Sequence, residues 1–268
     1  MASAALTLET DRYLNISAKI SVDDIDWNDA RNVGTSAEEI FILTYFSDIE
    51  GQTIVYLRDL LGTKAALEPE VIGFLSMWNY EEYFHGRVLA QYLKECGHDL
   101  ERDRTAQVRG SAGFSERVEN WGAKALSWIF SEDFPAVHAA WGAVQELTTL
   151  RAYEELQKLT PNPVLRTLCE RIAKQERRHF AWYFNSARER LERSSGARIL
   201  TKTLLSNFWS PVGAGVKPHS EVSRLLRTLF AGARADEVAH EIDAKIGTLP
   251  GLEGISLMRG FLEKRKVS

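Results

Sequence analysis

The stretch VIGFLSMWNYEEYFHGRVLAQYLKEC, residues 71–96, decides the fold class of this chain. Its apolar residues recur at intervals of three and four over many turns, a period typical of an α-helix. Pro69 suits a first helical turn, where an amide hydrogen would lack a partner, and Gly97 is a typical helix end. In the middle, Glu82 and His85 lie one turn apart on one helix face. Such a carboxylate and imidazole can together hold one metal ion.

The same Glu-x-x-His spacing returns at Glu176 and His179, within the helical stretch VLRTLCERIAKQERRHFAWYFNSARERLERS. One such motif is weak support for a metal site, because it can also be a solvated pair or a capped core histidine. Two further glutamates strengthen the interpretation. Glu50 follows FILTYFSDI and Glu146 follows VHAAWGAVQ, apolar runs in which a solvated charge is unexpected.

The spacing of these residues repeats in the two halves of the chain. Glu82 follows Glu50 by 32 residues, and Glu176 follows Glu146 by 30. Each half therefore contains a helix with a glutamate, a turn, and a helix with Glu-x-x-His. In antiparallel helices joined by short turns, residues near the helix middles lie at similar heights and can converge in the interior. We predict one metal centre with the ligands Glu50, Glu82, His85, Glu146, Glu176 and His179.

The chemistry of this ligand set favours iron or manganese. Four buried carboxylates without counter-ions would repel one another, and their pKa values would rise until most were protonated. Two divalent cations balance the four negative charges. Carboxylates with two imidazoles and no thiolate are not typical of a structural zinc site. The set matches that of ferritin-like di-iron and di-manganese proteins, so we predict two iron ions, with manganese in one position as the alternative.

Neighbouring acids and the remaining histidines are weaker candidates. Asp48 is out of helical phase with the paired positions, and Glu81 lies four residues from the motif histidine. Glu154 and Glu155 lie about two turns beyond the glutamate of the third helix. The histidines without a suitably spaced partner are expected at the surface or at helix ends: His98, His138, His219 and His240.

Four long helical segments dominate the chain, and strand alternation is nearly absent. The first begins at a capping box of Ser36 and Glu39, and the fourth follows the TPNP break. The segments are predicted at 36–62, 69–97, 135–159 and 162–196. We predict an all-α, ferritin-like four-helix bundle. Residues 98–132 would form its long crossover, with a short helix in RVENWGAKALSW.

The pattern changes after residue 196. The break WSPVGAGVKPHS is followed by shorter amphipathic pieces at 221–231 and 236–246. We predict a di-iron helical bundle with an N-terminal extension in residues 1–196, and additional C-terminal helices in residues 197–268 that pack on it.

Composition limits the class of protein. The 268 residues are 44% hydrophobic and 26% charged, as in globular proteins, and the net charge of −4 argues against nucleic acid as the main partner. No apolar run approaches the roughly 20 residues needed to cross a bilayer, and no signal peptide is evident, so we expect a cytoplasmic protein. Cys96 and Cys169 lack CxxC spacing and are expected to be buried, reduced thiols.

The stretches EEYFHGRVLAQYLKECG, QELTTL and ERRHFAWYF resemble the soluble acyl-[acyl-carrier-protein] desaturases, members of the ferritin-like di-iron superfamily. The resemblance spans roughly residues 40–193, with the six ligands in matching order and gaps of different length. It implies O2-dependent removal of hydrogen from an acyl chain, either free or tethered to acyl-carrier protein. It also implies an electron donor such as ferredoxin and a homodimer.

Two further positions follow from this resemblance. Thr149 would correspond to a threonine beside the oxygen-binding face of the cluster; the alternative is a hydroxyl bonded back to its own helix. The family usually has an acid immediately before the glutamate of the fourth helix, whereas this chain has Gln175. The sequence therefore does not indicate a carboxylate at this position that would accept a hydrogen bond from a ligand histidine.

Two other groups of side chains could contact a substrate or a carrier protein, although a place in the core or on the surface explains them equally well. Aromatic residues and a methionine could line an apolar channel or simply form core: Phe74, Met77, Trp78, Phe84, Trp141 and Phe180. Basic residues could meet an acidic carrier protein or form solvated faces: Arg171, Lys174, Arg177, Arg178, Arg224 and Arg227.

The leading hypothesis is an oxygen-dependent acyl desaturase. The alternatives are a di-iron hydroxylase or N-oxygenase acting on another small molecule, and a non-enzymatic ferritin-like iron storage protein. The C-terminal extension and the two complete Glu-x-x-His motifs count against storage.

Overall fold

The structure, a computed structural model, describes residues 4–101, 104, 132–214, 217–230 and 232–265. These residues form helices joined by turns, and none of them lies in a β-strand, which confirms the predicted all-α class. The helices are, in chain order, α1 (Ala4–Ile16), α2 (Trp27–Val33), α3 (Ala37–Glu50), α4 (Thr53–Leu60), α5 (Pro69–Glu95), α6 (Phe134–Leu159), α7 (Pro163–Arg193), α8 (Ser195–Phe208), α9 (His219–Leu229), α10 (Ala233–Ile246) and α11 (Met258–Arg265). A short 3-10 helix, Lys64–Leu67, lies between α4 and α5.

Helices α3, α5, α6 and α7 form the bundle that positions the candidate site. The longest helix, α7, packs along α6, and α5 packs against α3. Large aromatic side chains fill the space between them, including Tyr45, Tyr92, Tyr153 and Trp182. The short helix predicted in the α5–α6 crossover lies outside the described residues.

The helix starts follow from local sequence. Ser36 accepts a hydrogen bond from the Glu39 amide, and Glu39 accepts one from the Ser36 amide, so both form the predicted capping box. Asn162 caps α7 by accepting hydrogen bonds from the Val164 and Leu165 amides. The predicted second, third and fourth segments correspond to α5, α6 and α7 and are confirmed.

The prediction of one unbroken helix from 36 to 62 is wrong. The helix stops after Glu50 and resumes at Thr53. The Thr53 hydroxyl donates to the Glu50 carbonyl oxygen at 2.8 Å, and the Gln52 amide bonds to Ile49 three residues back. A side chain that binds the backbone in this way competes with the helical hydrogen bonds, and Gly51 is a poor helix former. The break therefore falls directly after a predicted ligand.

The C-terminal helices pack mainly on α6, which α8, α9 and α10 all contact. The two predicted amphipathic pieces correspond to α9 and α10. The loop before α9 is fixed to α3, because the Tyr45 hydroxyl donates to the Val212 carbonyl at 2.9 Å. The predicted division at residue 196 falls inside α8, and the two-part organisation stays a prediction.

None of the described helices combines the length and apolar character needed to cross a membrane. Both cysteines are free thiols. Cys169 is buried, as expected, whereas Cys96 is half-buried at the end of α5.

Candidate metal centre

The structure brings all six predicted ligands together inside the bundle. Glu50 is the last residue of α3, and Glu146 lies at the middle of α6. The two Glu-x-x-His pairs face inward from α5 and α7. The six side chains are almost fully enclosed, with 0 to 7% of each residue exposed. Buried charges of one sign require a partner, so the cluster is not a solvated helix face.

The ligand atoms fall into two groups that share two carboxylates. One group contains Glu50 and His85, and the other contains Glu146 and His179. Glu82 and Glu176 belong to both groups, and within each group the ligand atoms lie within 4.8 Å of one another. The arrangement can therefore hold two cations side by side, bridged by Glu82 and Glu176.

Three of the inward-facing atoms form no hydrogen bond. Glu82 Oε1, His85 Nδ1 and Glu176 Oε1 are buried and form no hydrogen bond. His85 Nδ1 lies 3.1 Å from Glu176 Oε1, and His179 Nδ1 lies 3.0 Å from Glu82 Oε1. Buried polar atoms are otherwise almost always satisfied. These atoms, all nitrogen or carboxylate oxygen, fit iron or manganese ions.

The pKa values of the metal-free cluster also indicate a site for cations. Burial, together with the charge of Glu176, raises the pKa of Glu82 to about 7 and that of Glu146 to about 8. Burial and Glu82 raise the pKa of Glu50 well above its ordinary value. Glu176 is the exception: burial opposes its ionisation, but the adjacent imidazoles of His179 and His85 lower its pKa. Without metal, the centre therefore retains protons that cations would displace.

The outer nitrogen of each histidine has its own partner. His179 Nε2 lies 2.8 Å from Glu81 Oε2, and His85 Nε2 lies 2.7 Å from Gln175 Oε1. Both rings consequently direct Nδ1 into the centre. Gln175 thus fills the place where the resemblance leads one to expect an acid. Glu81, which the sequence suggested only as a rival ligand, instead lies behind His179.

Glu50 and Glu146, the terminal carboxylates that each belong to only one of the two groups, are also held by hydrogen bonds. Tyr153 donates to Glu50 Oε1 at 2.8 Å, and Trp78 Nε1 donates to Glu146 Oε1 at 2.9 Å. Sequence reasoning missed both donors. Helical spacing could have indicated them. Trp78 lies four residues before Glu82 and Tyr153 lies seven after Glu146, so each donor is on the helix face that carries a predicted ligand.

The other rival acids are engaged elsewhere. Asp48 pairs with Arg104 and Lys217. Glu154 and Glu155 form ion pairs with basic residues on the outside of the bundle.

Of the remaining histidines, His98, His219 and His240 are exposed, as expected. The expectation for His138 is wrong. It is buried with its Nδ1 3.3 Å from the Tyr56 hydroxyl, and burial lowers its pKa to about 3. Gly142 on α6 leaves room for the Tyr183 ring of α7, which packs edge-on against His138 at a centroid distance of 5.5 Å.

An apolar cavity lies beside the centre. Glu50 and Thr149 both line it, with Phe46 and Ala152 on the bundle side and Leu226 and Phe230 on the C-terminal side. The neighbouring Thr148 also lines this cavity, and its hydroxyl donates back to the Val144 carbonyl of the same helix.

The residues suggested as a substrate channel lie elsewhere. Phe74 stacks on Trp182 at a centroid distance of 3.9 Å in the core, and Met77 is also buried there. None of the six suggested channel residues lines the described cavity. Among the suggested basic residues, Arg178 turns inward to Glu81 at 2.6 Å, whereas Lys174 and Arg227 are exposed.

Comparisons with known proteins agree with this architecture. Residues 63–207, more than half of the chain, match the sequence model of the family described as fatty acid desaturase. The X-ray structure of DesA2 from Mycobacterium tuberculosis H37Rv, a protein assigned as an acyl-ACP desaturase, superposes with a TM-score of 0.52 at 16% identity. The match covers 95% of each chain, and at this identity it shows the shared fold. No curated protein matches the sequence.

Proposed function

Because the chain belongs to the fatty acid desaturase family, we propose that it is an oxygen-dependent di-iron oxidoreductase that desaturates an aliphatic acyl chain. The observation that carries this proposal is the convergence of six buried ligands, from four helices, on two adjacent cation positions. The apolar cavity that reaches Glu50 and Thr149 adds a place for a substrate.

The proposed ligand roles follow from the two groups of atoms. Glu50 and His85 would hold one ion, Glu146 and His179 the other, and Glu82 and Glu176 would bridge them. Iron, when bound, supplies the oxidising power for removing hydrogen from an unactivated carbon. A mixed iron–manganese centre is the alternative, because both metals accept this donor set.

The protein's own contribution would be orientation and the exclusion of water. The cavity wall is apolar apart from a few groups, so an acyl chain can displace water there and lie against Glu50. Thr149 brings a hydroxyl to the same wall. We assign Thr149 the role of holding a proton at Oγ1 beside the reacting carbon.

The partners of the reaction are also part of the proposal. DesA2 is assigned as an acyl-ACP desaturase, and a similar substrate for this chain would be an acyl group on a carrier protein, or a free acyl chain. O2 and an electron donor such as ferredoxin would complete the reaction. The homodimer and the cytoplasmic location stay predictions.

The decisive experiment is mass spectrometry of acyl-carrier substrates after turnover with the iron-loaded protein, O2 and a reductant. Desaturation predicts the loss of two hydrogens from the acyl chain. A gain of one oxygen by the acyl chain would instead support a hydroxylase. Glu176→Ala is the matched control, because it removes a bridging carboxylate and should abolish product formation.

Metal content separates an enzyme from a storage protein. We expect about two irons per chain. Loading of many irons into a large cage, without any change in an acyl substrate, would contradict the proposed function and favour ferritin-like storage.

A further inference from the structure

The two histidines of the centre are supported by different chemical groups. Glu81, behind His179, is a carboxylate that also accepts hydrogen bonds from Arg178 and from the Ala18 amide. Gln175, behind His85, is a neutral amide. Glu81, Gln175 and both histidines are buried, and the exposure of Glu81 and of both histidines is 0%.

The ligand types and the number of aromatic hydrogen-bond donors are the same at the two positions. Each position has one histidine, one terminal glutamate and the same two bridging carboxylates. Each terminal glutamate accepts one hydrogen bond from an aromatic donor, Tyr153 for Glu50 and Trp78 for Glu146. The clearest chemical difference between the positions is therefore the partner of the histidine.

The backbone of one residue, Ala18, contacts both of these side chains, Glu81 and Gln175. The Ala18 amide donates to Glu81 Oε1 at 3.2 Å, whereas the Ala18 carbonyl accepts from Gln175 Nε2 at 2.7 Å. The amide hydrogen requires an acceptor, which a carboxylate provides. The carbonyl requires a donor, which a glutamine provides and an ionised acid cannot.

The same contacts fix the protons on both rings. Because Gln175 Nε2 faces the Ala18 carbonyl, its Oε1 faces His85, and His85 Nε2 must donate. Glu81 is surrounded by donors, so His179 Nε2 also donates, but to a charged acceptor. A hydrogen bond from imidazole to a carboxylate increases the basicity of the opposite ring nitrogen more than one to an amide does.

We propose that the two metal positions are unequal: the position of Glu146 and His179 binds its ion more tightly and fills first. The position of Glu50 and His85 fills second. Glu81 and Gln175 act as positioning residues that set this order. The Arg178 guanidinium withdraws part of the Glu81 charge but leaves the hydrogen bond to His179 in place at 2.8 Å. This inference rests on the two-metal centre of the proposed function.

The test is an anaerobic titration of the metal-free, full-length protein with Co2+ alone, followed by its absorption bands and by calorimetry. The wild type should bind two ions in two separated steps. Glu81→Gln should weaken the first step by about 10- to 100-fold and leave the second unchanged. Gln175→Met should weaken only the second step. Glu95→Gln, which removes a carboxylate at the C-terminal end of the same helix as Glu81, where Glu95 pairs with Arg31, is the control and should change neither.

Two further measurements connect the steps to residues. His179→Ala should remove the tight step, and His85→Ala the weak one. In the metal-free protein, nitrogen-resolved NMR of the imidazole N–H groups should show the His179 signal shifting in Glu81→Gln while the His85 signal stays unchanged. General structural damage would move both signals and lower the melting temperature, so it is distinguishable from loss of one hydrogen bond.

Two ions bound with equal affinity, or both substitutions weakening the same step, would overturn the inference and leave the two-metal centre intact. Binding of fewer than two ions by the wild type would contradict the proposed function itself, and this inference with it.

Discussion

At the level of single residues, Glu146 illustrates how the candidate ligands behave when no cation is present. Its carboxyl is enclosed by α5 and α7, and burial together with Glu176 raises its pKa from 4.5 to about 8. Glu82 shifts in the same direction, to about 7. Ionising either group in the metal-free protein would place a second negative charge next to Glu176 in a buried site, which the nearby His179 offsets only in part.

We therefore expect the metal-free protein to lose stability as the pH rises from 5 to 8. A group with a raised folded-state pKa binds its proton more tightly when folded, so its stabilisation is complete below 4.5 and disappears as the pH passes about 8. The pKa of His179 is also raised, by its carboxylate neighbours against the effect of burial, and acts in the same direction. Melting temperatures between pH 5 and 8 measure the effect.

Two controls separate this effect from general pH sensitivity. Loading with Mn2+ should flatten the dependence, because the cations replace the protons and hold the carboxylates ionised. Glu146→Gln cannot ionise at this position, so the metal-free variant should show a smaller loss. A metal-free wild type that becomes more stable over this range would contradict the prediction.

The convergence of the six predicted ligands could be expected from sequence, because helical periodicity places residues three or four apart on one face. Their hydrogen-bonding partners were not equally accessible. Glu81 is one residue from Glu82 and reaches His179 on another helix, 98 residues away along the chain. Ala18 lies in an irregular segment, so no periodic pattern indicates that its backbone meets Glu81 and Gln175.

At the level of helices, the approach of α3 to α5 determines where Glu50 lies. Gly86 follows His85 on α5 and touches the end of α3. A β-carbon at Gly86 would lie 3.3 Å from Glu50 Cβ, from the Gly51 nitrogen and from the Ser47 carbonyl oxygen. Ser47 also donates its hydroxyl to the Gly86 carbonyl at 3.2 Å. The two helices are thus in backbone contact directly beside the metal position.

Gly86→Ala should displace the end of α3 and weaken binding at the position of Glu50 and His85. The contacts are tight but not impossible, so we expect about a tenfold loss at that position, and a larger loss for Gly86→Val. Co2+ titration measures both. Gly260→Ala on α11 is the control, because the nearest atom to its added β-carbon is 3.8 Å away. Unchanged binding in Gly86→Val would show that this contact does not position Glu50.

Helix starts were predictable because Ser36, Asn162 and the prolines act within their own turn. The break after Glu50 was not predictable from periodicity, since the apolar pattern continues through it. The break follows from Gly51, a poor helix former, and from the hydrogen bond of the Thr53 hydroxyl to the Glu50 carbonyl, which competes with the helical hydrogen bonds.

At the level of the whole molecule, Asp48 connects three distant parts of the chain. It lies on α3 and is buried, and it pairs with Arg104 after α5 at 2.6 Å and with Lys217 before α9 at 2.5 Å. Lys217 is itself buried, with 7% of its side chain exposed. The same C-terminal segment supplies Leu226 and Phe230 to the cavity wall. Such pairs span 56 and 169 residues, which explains why sequence spacing could not identify them.

Asp48→Asn tests both this connection and the exclusion of Asp48 as a ligand. Removing one partner of a buried ion pair leaves the other charge uncompensated, so we expect a loss of about 3 kcal/mol in the free energy of unfolding. The double variant Asp48→Asn, Lys217→Met should recover part of this loss, because no buried ammonium remains. Chemical denaturation measures both changes.

Co2+ stoichiometry should stay at that of the wild type, because Asp48 faces Arg104 and Lys217 rather than the centre. Loss of one ion in Asp48→Asn, while the protein remains folded, would make Asp48 a ligand and require the centre to be reassigned.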